Sequence, residues 1–108
     1  MATAASRAII EWPDWLDERA ESEMTPKGHL SGLIVRLDDG SRYELNFINP
    51  VRLGQELTMD ARAGTPYFAE PGLVVIPEVT LPAVRSTVER LAAVGFFRLL
   101  KPLASPTA

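Results

Sequence analysis

The feature that most constrains the fold is an alternation that reverses across Asp38-Asp39-Gly40. Leu33, Val35 and Leu37 share one parity before these three residues, and Tyr43, Leu45 and Phe47 share one parity after them. Two such runs around a polar, glycine-containing break specify a β-hairpin with one apolar face. Register follows from the same residues. A two-residue Asp39-Gly40 loop would set Leu37 against Arg42 and Val35 against Glu44, mixing apolar and charged groups on both faces. A three-residue loop with Gly40 left-handed instead pairs Val35 with Tyr43 and Leu33 with Leu45, so one face becomes wholly apolar. The other face then carries Arg36 opposite Arg42, a like-charge pair of a few tenths of a kcal/mol if exposed, and Leu30 opposite Ile48.

The hairpin needs something to cover its apolar face. Leu81, Val84, Val88, Leu91 and Ala92 recur on one side of a helix over 80–94. Thr80 can cap it, Pro82 suits its first turn, and Gly95 provides the stop. Leu73-Val74-Val75-Ile76, between Gly72 and Pro77, reads as a short interior strand. Residues 96–100 read as a further, edge strand. Residues 50–63 are open to two readings: Asn49-Pro50 and the Leu53, Leu57, Ala61 recurrence favour a helix, whereas Val51, Leu53, Leu57, Met59 and Ala61 also share one strand parity. Helix is preferred, because Gly54, Gln55 and Glu56 are poor strand formers.

The expected architecture is a small two-layer α+β domain, with a sheet of three or four strands (30–37, 41–48, 72–77 and 96–100). The hairpin spans 30–48, and a C-terminal helix at about 80–94 packs on one face. Leu33, Val35, Leu45, Phe47, Val74, Ile76, Val84, Val88 and Leu91 form its expected core. With 108 residues the chain suits one such core. The domain is assigned to 29–101, an arm and linker to 1–28, and a flexible tail to 102–108.

Charge marks the arm. Between Glu11 and Glu23 six carboxylates face Arg19 alone, whereas from Met24 onward nine bases nearly balance eight acids. A short helix beginning at Pro13 fits this segment, with Asp14, Asp17 and Glu18 near its positive end and Thr25-Pro26-Lys27-Gly28 as a linker. Ile9, Ile10, Trp12, Trp15 and Leu16 give it the apolar means to dock on the domain. Its carboxylates would then lie near Arg36 and Arg42.

Chemistry is poorly marked. The chain has no cysteine and a single histidine, His29, so thiol chemistry and paired-ligand zinc sites have no basis. Asp38 and Asp39 are explained by their turn. The seven glycines form no phosphate-binding pattern, and nine dispersed arginines in a chain of net charge -3 do not make a nucleic-acid face. No catalytic residue, cofactor or metal is assigned, and no membrane segment is seen. A cytoplasmic location agrees with the absence of cysteine.

Two functions remain. One is a non-enzymatic interaction module, adaptor or inhibitor-like, with Trp12, Trp15, Arg36 and Arg42 as candidate partner-binding residues, since tryptophan and arginine are enriched in interface hot spots. The other is a small-molecule binder or enzyme with a pocket near Tyr67, Phe68 and Glu70. Edge strands, taken as 41–48 or 96–100, make a homodimer as well supported as a monomer.

Overall fold

The computed structural model describes residues 7–103; the ends expected to fray, 1–6 and most of 102–108, lie outside the described residues. The fold is the expected small α+β domain. Its elements are β1 (Ala8–Glu11), α1 (Glu18–Lys27), β2 (His29–Leu37), β3 (Arg42–Ile48), α2 (Pro50–Arg62), β4 (Leu73–Val75), α3 (Leu81–Ala93) and a 3₁₀ turn (Phe96–Leu99). The strands form one sheet in the order β1-β2-β3-β4, with antiparallel β1/β2 and β2/β3 pairs and a parallel β3/β4 pair.

The β2/β3 hairpin has the register that its apolar parity requires. Val35 faces Tyr43, Leu33 faces Leu45, and Arg36 faces Arg42. Leu37 N–H donates to the Ser41 carbonyl at 2.9 Å, closing a three-residue loop in which Gly40 has φ +87°. The far end of the ladder departs from the simple count. A bulge between Leu30 and Leu33 shifts the register by one, so that Leu30 faces Phe47 and His29, not Leu30, faces Ile48. The shift transfers Leu30 to the core face, where it is buried with Leu33 and Val35. Asn46 secures the bulge from the opposite strand: its Oδ1 accepts from Gly32 N–H at 2.8 Å and its Nδ2 donates to the Pro71 carbonyl at 3.0 Å. That pairing accounts for a buried amide in an apolar neighbourhood.

Core and helices follow from the amphipathic pattern. Thr80 Oγ1 accepts from Ala83 N–H at 3.2 Å and starts α3, whose Val84, Val88 and Ala92 are buried against Leu33, Val35, Leu45 and Phe47. Val74 and Leu91, both expected in the core, are only half-buried beside it. Asn49 Oδ1 accepts from Arg52 N–H at 2.7 Å and initiates α2, which settles residues 50–62 as a helix.

Three expectations are corrected. Residues 96–100 are not an edge strand. Phe96–Leu99 form a tight 3₁₀ turn, which buries Phe97 against Tyr43 with ring centroids 5.2 Å apart. The 72–77 run is shorter than expected and lies at the sheet edge, because β1 and not the C-terminal segment supplies the fourth strand. Finally, Pro13 sits in a turn, with Leu16 N–H donating to its carbonyl at 3.0 Å, and α1 begins later. Asp17 caps it by accepting from Ala20 N–H at 2.8 Å. The helix then runs through Thr25, Pro26 and Lys27, where a proline in the last turn forgoes only one ladder bond.

Candidate functional site

The arm joins the sheet as β1, and this placement decides what Arg36 and Arg42 do. Ile9 faces Arg36 and Ile10 faces Val35, so Ile10 turns toward the core and Glu11 toward the outer face. Glu11 thereby reaches both arginines: Oε1 accepts from Arg42 Nη2 at 2.8 Å, and Oε2 lies 3.3 Å from Arg36 Nε. The like-charge pair becomes a three-membered cluster of alternating sign.

The Arg42 hydrogen bond is the largest influence on the Glu11 carboxyl. Desolvation opposes it in part, the Arg42 charge and Arg36 reinforce it, and the net result is a pKa below the usual glutamate value. A depressed folded-state pKa stabilises the fold above the unfolded value of about 4.3, and the contribution disappears as pH falls through the folded value. In Glu11→Gln, that part of the acid limb will be flatter in pH-dependent unfolding, and the difference from the native chain will shrink with salt because the cluster is half-exposed. An identical acid limb in the variant would remove Glu11 from the stability account.

The two tryptophans part company. Trp12 is half-buried against the core, and the Arg85 guanidinium of α3 lies 5.5 Å from its ring centroid. Trp15, three residues on, is 57% exposed. It borders a cavity of about 310 Å³ between α1 and the start of β2, together with Glu23, Lys27 and His29. The Nε2 atom of His29 is itself buried without a hydrogen-bond partner. Docking of the arm is therefore carried by Ile10, Trp12 and Leu16, while Ile9 and Trp15 remain largely in solvent. Trp12, Arg36 and Arg42 lie around β1; Trp15 belongs to a separate surface.

The 65–72 loop does not pin both of its rings. Tyr67 is 64% exposed, whereas Phe68 and Glu70 are half-buried, and Glu70 Oε1 is buried with no hydrogen-bond partner. The next residues, Pro71 and Gly72, border a cavity of about 250 Å³ with Tyr43, Glu44 and Leu100. Among the described residues, no three His, Asp or Glu side chains are grouped to hold a metal ion, and no helix is long and apolar enough to cross a membrane.

A further surface was not legible from the sequence. Of the 13 residues of α2, none is buried. Its least exposed positions are Arg52, Leu53, Glu56 and Asp60, and Arg52 is tied inward by donating to the Lys27 carbonyl and pairing with Glu56 at 2.7 Å. At about 100° per residue these four lie along one side of the helix. Pro50, Gly54, Leu57 and Ala61 lie roughly a third of a turn away and are all exposed, Leu57 by 40%. The helix thus turns a largely charged side toward its own domain and an apolar seam toward solvent. The i, i+4, i+8 recurrence of Leu53, Leu57 and Ala61 announced an apolar stripe, but periodicity does not say which side a domain will cover. No family model matches the chain, and no curated protein or solved structure matches it significantly.

Proposed function

We propose that this protein is a non-enzymatic protein–protein interaction module, adaptor or inhibitor-like in character, whose partner covers the seam of α2. One observation carries the reading: α2 presents Gly54, Leu57 and Ala61 to solvent while its charged side faces the domain. A helix of this length is marginal in water unless an apolar face is packed, so a 13-residue helix with no buried residue lacks the usual source of helical stability. Exposed Trp15 beside its cavity offers a second anchor of the kind enriched in interfaces.

The reading is tested by placing a photoreactive residue at Leu57 and, as a control on the same helix, at Met59. Met59 is 63% exposed but points away from the seam. Irradiation of cells making each variant will give protein adducts at Leu57 in excess of those at Met59. Equal or absent adducts would overturn the proposal. Leu57→Lys, by contrast, will change the unfolding free energy of the isolated chain by no more than about 0.5 kcal/mol, as an exposed substitution should. A larger loss in urea unfolding would mean that Leu57 serves the fold.

A second reading, a small-molecule-binding protein or enzyme with its pocket near Tyr67, Phe68 and Glu70, is favoured by the unpartnered Glu70 Oε1. A cationic fragment would satisfy that oxygen. NMR shifts clustered at these three residues on adding such fragments support this reading, and shifts spread evenly over the surface reject it.

A further inference from the structure

We propose, independently of the α2 seam, that β1 is a displaceable strap, and that the β2 edge beneath it docks an extended segment of a partner protein in which acidic and apolar residues alternate.

The strap is held lightly compared with what it covers. No residue from Arg7 to Glu23 is buried, and the buried core runs from Met24 to Phe97. Val35 and Leu37, which Ile10 and Ala8 face across the ladder, belong to that core. Ala8–Glu11 can therefore leave the sheet while the hairpin, α3 and the 3₁₀ turn keep their packing on one another, as segments at the low-stability margin of a domain do.

The strap also fits its place incompletely, and the misfit defines what would fit better. On the outer face of the sheet, Glu11 stands opposite Ile34 and Ile9 stands opposite Arg36. Two guanidinium groups share one carboxylate there: among the described residues, Glu11 alone lies within 4.0 Å of Arg36 and Arg42. Glu44 faces Ile34 from the other strand and pairs with neither arginine. Ile9 meanwhile leaves about half of its surface in solvent, directly across from a cation. An acidic residue at that position would make the opposite-charge cross-strand pair that isoleucine forgoes.

The occupant follows from these positions. Ile10 turns inward, so the place opposite Val35 takes an apolar side chain, and the places opposite Arg36 and Ile34 take carboxylates. An incoming segment that reads acid–apolar–acid and runs antiparallel to β2 fills all three. Its main chain would take over the ladder, and its alternate side chains would give specificity, as in strand addition at other sheet edges. The native strap opposes it at an effective concentration on the order of millimolar, because it is tethered to α1. The second carboxylate gives the partner its advantage.

The test uses the full-length chain and a synthetic peptide of residues 7–12 carrying Ile9→Glu and Trp12→Phe, so that all indole emission comes from the protein. Trp15 is already in solvent, and a change in emission therefore reports Trp12 leaving Arg85. Titration with the peptide will red-shift the emission and increase its quenching by acrylamide. The same peptide with lysine at both acidic positions will do neither. In the protein, Ile9→Glu will tighten the strap and weaken peptide binding by roughly two- to fivefold, the worth of one opposite-charge cross-strand pair. Glu11→Arg will loosen the strap and strengthen binding by at least that factor. Ile9→Glu changes a half-exposed residue and keeps the test decisive where Glu11→Arg fails to fold. Absence of binding, equal binding of the lysine peptide, or an affinity unchanged by Ile9→Glu overturns the docking site. Binding that leaves Trp12 packed overturns the displacement, since the peptide would then have added to the free edge of β1.

Discussion

Phe97→Ala will lower the unfolding free energy by about 3–5 kcal/mol, a large share of the roughly 5–15 kcal/mol available to a domain of ordinary stability. The side chain is 1% exposed, and its ring lies between Tyr43 at 5.2 Å and Phe96 at 5.8 Å. Truncation therefore loses both the buried area and the aromatic contacts, and leaves a cavity beneath the C-terminal end of α3. Leu99→Ala is the informative companion. In an extended strand, residues 97 and 99 would share a face and both would be costly to truncate. In the 3₁₀ turn, at three residues per turn, Phe97 instead shares its side with Leu100, and Leu99 is exposed. Leu99→Ala will fall within about 0.5 kcal/mol of the native chain in urea unfolding. Comparable losses at both positions would restore the strand and contradict the turn.

The second large effect is expected at Gly72, where two penalties coincide. Its φ of +71° lies in the left-handed region, which costs an L-residue about 1–2 kcal/mol. A Cβ there would also be driven into the carbonyl oxygen of Glu44, a backbone atom of β3 that cannot rotate away. The Gly72 carbonyl is meanwhile held by Asn46 N–H at 2.9 Å, so the loop cannot retreat without unpairing β3 from the entry to β4. Adding overpacking of about 1–3 kcal/mol to the conformational term gives an expected loss of about 2–5 kcal/mol for Gly72→Ala. Gly40→Ala isolates the first penalty, since φ is +87° but nothing lies within 4 Å of the added carbon. It will cost only about 1–2 kcal/mol. Equal losses at the two glycines would show that the loop yields to the methyl group.

What the sequence disclosed depended on how local each signal was. The hairpin was legible to the residue, because side-chain parity and a three-residue turn fix a register without reference to the rest of the chain. The α3 helix was legible because its cap, stripe and stop all lie within sixteen residues. The bulge was not: it needs the Asn46 amide on the opposite strand to receive Gly32 N–H, and a β-strand asparagine carries no label for that task. Strand β1 was hidden by its length and setting, since Ala8–Glu11 is too short to show alternation and runs into an acidic stretch. The Arg36–Arg42 juxtaposition followed from the hairpin register, and the need for a carboxylate beside it followed too. Which carboxylate filled the place depended on the β1 register, a long-range pairing. Trp12 and Trp15 looked alike in sequence, yet one chain turn separates a ring packed under Arg85 from a ring in solvent.

The short strand at the front of the chain has a consequence for how this protein survives in a crowded cell. The two longest strands, of nine and seven residues, contain runs such as Leu-Ile-Val-Arg-Leu whose open backbone would template the addition of other chains. Both are interior. The borders are instead four and three residues long, too short to recruit a stable foreign strand, and the β1 border ends at a carboxylate engaged by two arginines. Ala8–Glu11 thus acts as a guard rail over Ile34–Leu37: a chain clipped after Glu11 would lay open that apolar stretch of β2 and add a hazard of fibril seeding.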